Sequence, residues 1–128
     1  MAFAVEAIPG EAALFLRVHK DQFVTAGEAG AKRPSSACFR RTRMSVNWEK
    51  YSTAEATAKP SSAAVVALLA QDCRSLRQTV EHTPIQAGEL DGPNQAHSEV
   101  CGPKEDKVIQ YSFVRLSRIV WVRNTAPD

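Results

Sequence analysis

His97, Glu99 and Cys101 stand at alternate positions in the run Ala96-His97-Ser98-Glu99-Val100-Cys101. In an extended strand, side chains two apart share a face. The run would therefore set an imidazole, a carboxylate and a thiol side by side, with Ala96, Ser98 and Val100 behind them. Such groups serve proton transfer and nucleophilic chemistry, yet the row is not the signature of any one reaction.

Metal binding is the first chemistry to weigh. Structural zinc needs four N or S ligands, usually paired so that one local turn preorganises two of them. Here Cys38, Cys73 and Cys101 are widely spaced. His97-Ser98-Glu99 matches half of the zinc-deaminase pattern, but the Pro-Cys-x-x-Cys half is replaced by Val100-Cys101-Gly102-Pro103. Neither a metal nor a cofactor is expected. Cys101 or Cys38 with His82 or His97 would make a Cys–His pair only if the fold joined them. Free cysteine otherwise behaves as a small hydrophobe. His82, before Thr83-Pro84, reads as a half-buried ring bonded to a loop carbonyl.

Lys32, Arg33, Arg40, Arg41 and Arg43 form a basic stretch with no acid between them, flanked by Phe39 and Trp48. Cations hold phosphates while aromatics stack on bases. Charges also guard loops and strand edges, and a pI near 8.5 falls short of a dedicated nucleic-acid binder. Nucleic-acid binding through residues 32–43 is thus an alternative reading, not the favoured one.

The elements that would position these groups follow from length and pattern. The chain has 128 residues, 44% hydrophobic and 23% charged, with net charge +2; this suits one soluble domain spanning 1–128. Its longest apolar run, Ala63 to Ala70, is far below the roughly 20 residues of a membrane span, so no membrane association is expected. Glu6 and Glu11 precede Arg17, against a secretory leader. The odd cysteine count fits free thiols in a reducing compartment, so a cytoplasmic protein is expected.

Residues 1–10 read as a lead-in, and Ala12 to Val18 as a short helix or strand. Gly27 to Ser36 reads as a loop leading to a strand at Ala37-Cys38-Phe39. Met44, Val46 and Trp48 alternate inward, and Ser52-Thr53-Ala54-Glu55 matches a capping box for a short helix before Pro60. Ala63 to Leu69 suits a strand buried on both faces. Gln71 to Arg77 reads as helical, Thr79 to Thr83 as a strand, and 86–94 as a loop. Pro103 opens a final helix over 103–122, its apolar stripe formed by Ile109, Phe113, Leu116 and Val120; residues 123–128 form a tail. The class is α+β: a small mixed or antiparallel sheet of short strands with a long C-terminal helix packed on it.

Arg17-Val18-His19, Phe23-Val24, Ser36-Ala37-Cys38-Phe39, Ser45-Val46, Thr53-Ala54-Glu55, Thr83-Pro84 and Ala96-His97 together resemble a scattered family of small bacterial proteins with no established activity. The resemblance spans residues 14–102 and implies a shared fold and a role for His19 and His97, which would then meet at one site. Lys20 replaces the proline that usually follows the early histidine. A weaker similarity runs to ADP-ribosyltransferase-type domains through Arg17, Ser36 and Glu99; it implies a nucleotide-transfer enzyme with Arg17 on phosphate and Glu99 on a ribose hydroxyl. The favoured expectation is a soluble bacterial domain acting by binding, as a protein-interaction module with a partner protein. Its contact surfaces would be the C-terminal helix and Arg40, Arg41 and Arg43.

Overall fold

Alternation organises most of the molecule. The computed structural model describes residues 2–25, 31–88 and 92–123. In β1 (Ala13–His19), Leu14, Leu16 and Val18 are buried while Phe15, Arg17 and His19 take the other face. In β4 (Arg43–Trp48) the core-facing set is Met44, Val46 and Trp48, as the sequence pattern predicts. The same rule turns Ser98 and Val100 inward on β7 (His97–Cys101) and leaves His97, Glu99 and Cys101 on the opposite face.

The described residues form eight strands and three helices, an α+β arrangement. Six strands make one antiparallel sheet in the order β6-β7-β4-β1-β5-β8, with β5 spanning Ser62–Leu69, β6 Thr79–His82 and β8 Arg118–Val122. β2 (Phe23–Thr25) and β3 (Lys32–Pro34) pair separately. β5 is buried on both faces along Ala64 to Leu68, which explains its unbroken apolar run. On the core face, Phe39 and Phe113 stack with centroids 5.3 Å apart. That contact ties α3 (Lys107–Leu116) to the 3-10 turn Ser36–Phe39. α1 (Ala54–Thr57) lies against β1, β5 and β8, and α2 (Ala70–Ser75) against β5 and β6.

Several elements differ from the sequence reading. The final helix is ten residues long, not a span over 103–122. Asp106, rather than Pro103, precedes its first turn and accepts from the Val108 amide at 2.8 Å. At Ser117 the chain becomes extended, and Ile119-Val120-Trp121-Val122 joins the free side of β5 as β8. β-branched and aromatic residues fit a pleated surface better than a helix. Ala37-Cys38-Phe39 lies in a 3-10 turn, not a strand, and Lys32–Pro34 is a strand within the expected loop. Residue 1 of the lead-in, residues 27–30 and 89–91 of the two expected loops, and 124–128 of the tail lie outside the described residues. Thr53, not Ser52, caps α1, accepting from the Ala56 amide at 3.1 Å. The lead-in is docked on the domain: Arg74 donates to the Ile8 carbonyl at 2.7 Å, and the Glu6 amide donates to His82 Nδ1 at 3.0 Å.

Cys38, Cys73 and Cys101 are free thiols. Burial pushes the Cys73 thiol up from 9.0 to about 12. The unfolded chain therefore loses this proton first. The associated stability is present in full below pH 9 and is lost as pH rises toward 12, at about 1.4 kcal/mol per pH unit. Urea midpoints measured from pH 8 to 11 should fall, and should fall less steeply in Cys73→Ala.

Candidate functional site

The sheet face opposite the core carries a connected polar set. Asn47 is buried on β4, where its Nδ2 donates to Thr57 Oγ1 at 3.1 Å and its Oδ1 accepts from Asn94 Nδ2 at 3.0 Å. Arg17, from the neighbouring strand, donates through Nε to the Thr57 carbonyl at 2.5 Å. Thr57 closes α1, and its hydroxyl donates to the Thr53 carbonyl at 2.8 Å. The short helix thus works as a bracket, holding Arg17 and Asn47 from two adjacent strands. Buried polar groups need such partners.

His97 lies directly opposite Asn47 in the β4–β7 register. Its Nδ1 is 2.9 Å from the Thr83 carbonyl and 3.0 Å from the Thr83 hydroxyl. A carbonyl can only accept, so the ring proton belongs on Nδ1, and Nε2 is left without a protein partner among the described residues. His19, at the end of β1, is more open and accepts the Asp21 amide at 3.1 Å.

Arg17, His19 and His97 all line one cavity of about 330 Å³. Arg41, Lys59, Ser61 and Ser62 join them, with Gln22 supplied by the 3-10 turn Lys20–Gln22 and Ala37 and Cys38 by the turn Ser36–Phe39. Among the described residues its lining contains no aspartate or glutamate. Burial draws the Arg17 guanidinium below its ordinary value, and no acidic side chain pairs with it among the described residues. Burial also pushes the Cys38 thiol up to about 11, so it stands in the wall as an uncharged group rather than a nucleophile.

The remaining sequence candidates go elsewhere. Glu99 shares the face of His97 but is outside the cavity lining, with its carboxylate 3.6 Å from Arg43 Nε. Lys32 and Arg33 sit on β3, Arg40 follows the 3-10 turn just before the cavity-lining Arg41, and Arg43 begins β4. The Lys32 ammonium rests 5.8 Å from the centre of the Phe23 ring. His82 is buried, its Nε2 bonded to the Gln95 carbonyl at 2.7 Å, and it packs edge-on to Trp48. No group of three His, Cys, Asp or Glu side chains among the described residues could hold a metal ion. Asn47, Thr57 and Lys59 carry no sequence signal of their own. A polar residue on the outward phase of a strand reads as solvent-facing until the covering helix is known.

Compared with protein-family models, curated proteins and solved structures, the chain gives no match.

Proposed function

We propose that this domain acts by binding and takes an anionic group in the cavity lined by β1 and β4. One observation carries this reading: Arg17, Arg41 and Lys59 converge with His19 and His97 on a cavity whose described lining lacks any acid. Unpaired cations in a partly dry cleft are costly. A phosphate or carboxylate bound there would offset that cost through charge-assisted hydrogen bonds. Glu99 faces Arg43 instead, and the described lining offers no carboxylate for transfer chemistry, so binding is favoured over catalysis.

Titration of the ¹⁵N-labelled protein with inorganic phosphate tests this. Arg17, Ser45 and Ser62 amides should shift together, with affinity falling as salt rises. Arg17→Gln removes a charge-assisted contact of roughly 1.5–3 kcal/mol, so binding should weaken about ten- to a hundredfold. Lys59→Ala, at an exposed position, should weaken binding with the fold intact. No shift at these amides would sink the reading.

The expected protein partner has support of its own. Val108, Tyr111 and Leu116 leave apolar side chains exposed along α3, the kind of residue that protein contacts use where such side chains adjoin.

A further inference from the structure

β1 and β4 are neighbours in the middle of the sheet, yet they pair at only two positions, Leu14 with Trp48 and Phe15 with Asn47. Continued, that register would set Arg17 opposite Ser45 and His19 opposite Arg43. Instead the strands part, and the cavity lies where they separate, lined by Arg17 and His19 on one side and Ser45 on the other.

Strand parity shows which backbone groups border the gap. In an antiparallel ladder a residue turns its N–H and C=O to the same side, and successive residues alternate. The Ala70 amide bonds Ala12 O at 2.9 Å, so even positions of β1 serve β5, while the Glu49 amide bonds Ala13 O at 3.0 Å, so odd positions serve β4. On β4 the Trp48 amide bonds Ala96 O at 2.8 Å and Thr42 O accepts the Gly102 amide at 3.0 Å, so even positions serve β7. Among the described residues, the N–H and C=O of Arg17 and Ser45 therefore border the gap with no paired strand across from them. Two strand edges inside one sheet with no partner among the described residues are unusual, because edges are ordinarily covered, charged or paired.

A simple anion satisfies half of this arrangement. It can accept from the Arg17 and Ser45 amides, but it offers nothing to their carbonyls. A peptide backbone supplies donors and acceptors in strand alternation. We propose that the cleft takes an extended peptide segment, inserted between β1 and β4, that bears an acidic side chain for Arg17 and Lys59. The cavity borders β1 from Arg17 to His19, a span that takes two to three extended residues at roughly 3.3 Å each. The proposal rests on the anion-binding reading and identifies what carries the anion.

The test uses the full chain, ¹⁵N-labelled, and three probes: inorganic phosphate, a pool of acetylated X-X-Glu tripeptide amides, and the same pool N-methylated at its peptide bonds. The acidic pool should bind at least tenfold more tightly than phosphate. It should also slow hydrogen exchange at both the Arg17 and Ser45 amides, and N-methylation should abolish that protection. A pool that binds no better than phosphate, or leaves those two amides unprotected, overturns the peptide proposal while the anion reading stands. If neither phosphate nor peptide binds, both fall.

Discussion

Phe113→Ala is expected to lower stability by roughly 3–5 kcal/mol, as large buried aromatic truncations do, out of a total of about 5–15 kcal/mol for a domain of this kind. Phe113 is fully buried and lies parallel to Phe39 at 5.3 Å, with an interplanar angle of 7°. Its loss opens a cavity between α3 and the turn Ser36–Phe39, where two aromatic faces meet. The effect should reach the candidate site, because Ala37 and Cys38 of that turn line it. Urea unfolding should show the midpoint falling by half or more. In the surviving folded fraction, the phosphate-induced shifts at Arg17 should shrink. Phe113→Leu keeps most of the volume and should retain more than half of the lost stability.

How much of this was legible in the sequence depends on whether a pattern was local. The alternation of β7 and the apolar run of β5 needed no long-range information, since one buried face or two determine them. β8 needed it. Ile109, Phe113, Leu116 and Val120 continue a helical spacing across Ser117, and only the vacant side of β5 decides that Arg118–Val122 pairs as a strand. Position 120 also falls at a register shift in that pairing, so its helical phase was a coincidence. The capping box slipped by one residue because Ser52 and Thr53 both carry hydroxyls, and the local pattern cannot choose between them.

The site was legible in part for the same reason. His19 and His97 stand out by residue type, but their convergence depends on the strand order β7-β4-β1, which no local spacing encodes. Glu99 obeyed the predicted face and still fell outside the cavity, because Arg43, its near neighbour across the ladder, claims it. The partial separation of β1 from β4 had no sequence signal. Nothing in Leu16-Arg17-Val18 or Met44-Ser45-Val46 distinguishes a strand that pairs along its length from one that stops after two pairs. Lys104 was overlooked too, since a lysine following Gly102-Pro103 reads as a surface residue.

Lys104 is instead 1% exposed, and its ammonium donates to the Thr42 carbonyl at 3.0 Å and the Val100 carbonyl at 2.9 Å, with Gly102 O at 3.5 Å. It fastens the residue before β4 to the end of β7 and the bend after it, while its own carbonyl accepts from Gln110 Nε2 of α3 at 2.7 Å. No carboxylate pairs with it among the described residues. Two effects therefore oppose each other: the buried stem and its hydrogen bonds stabilise, and desolvation of the charge does not. Lys104→Ala loses the stem as well as the charge and should cost about 3 kcal/mol, in the range of buried long-chain truncations. Lys104→Met keeps the stem, and the Thr42 carbonyl retains the Gly102 amide as a partner, so this variant should cost less than half as much. Burial draws the ammonium below its ordinary value of 10.5, opposed by the nearby Cys101 and Cys73. Between the lowered value and 10.5 the unfolded chain binds more protons than the folded one, so this residue makes stability rise with pH in that window and lose the gain as pH falls. That slope is opposite in sign to the one from Cys73. Removing it in Lys104→Met should make alkaline destabilisation steeper than in the parent chain, and urea midpoints compared at pH 7, 9 and 10 measure it. Parallel pH profiles for the two proteins would show that the ammonium keeps its ordinary titration despite its burial.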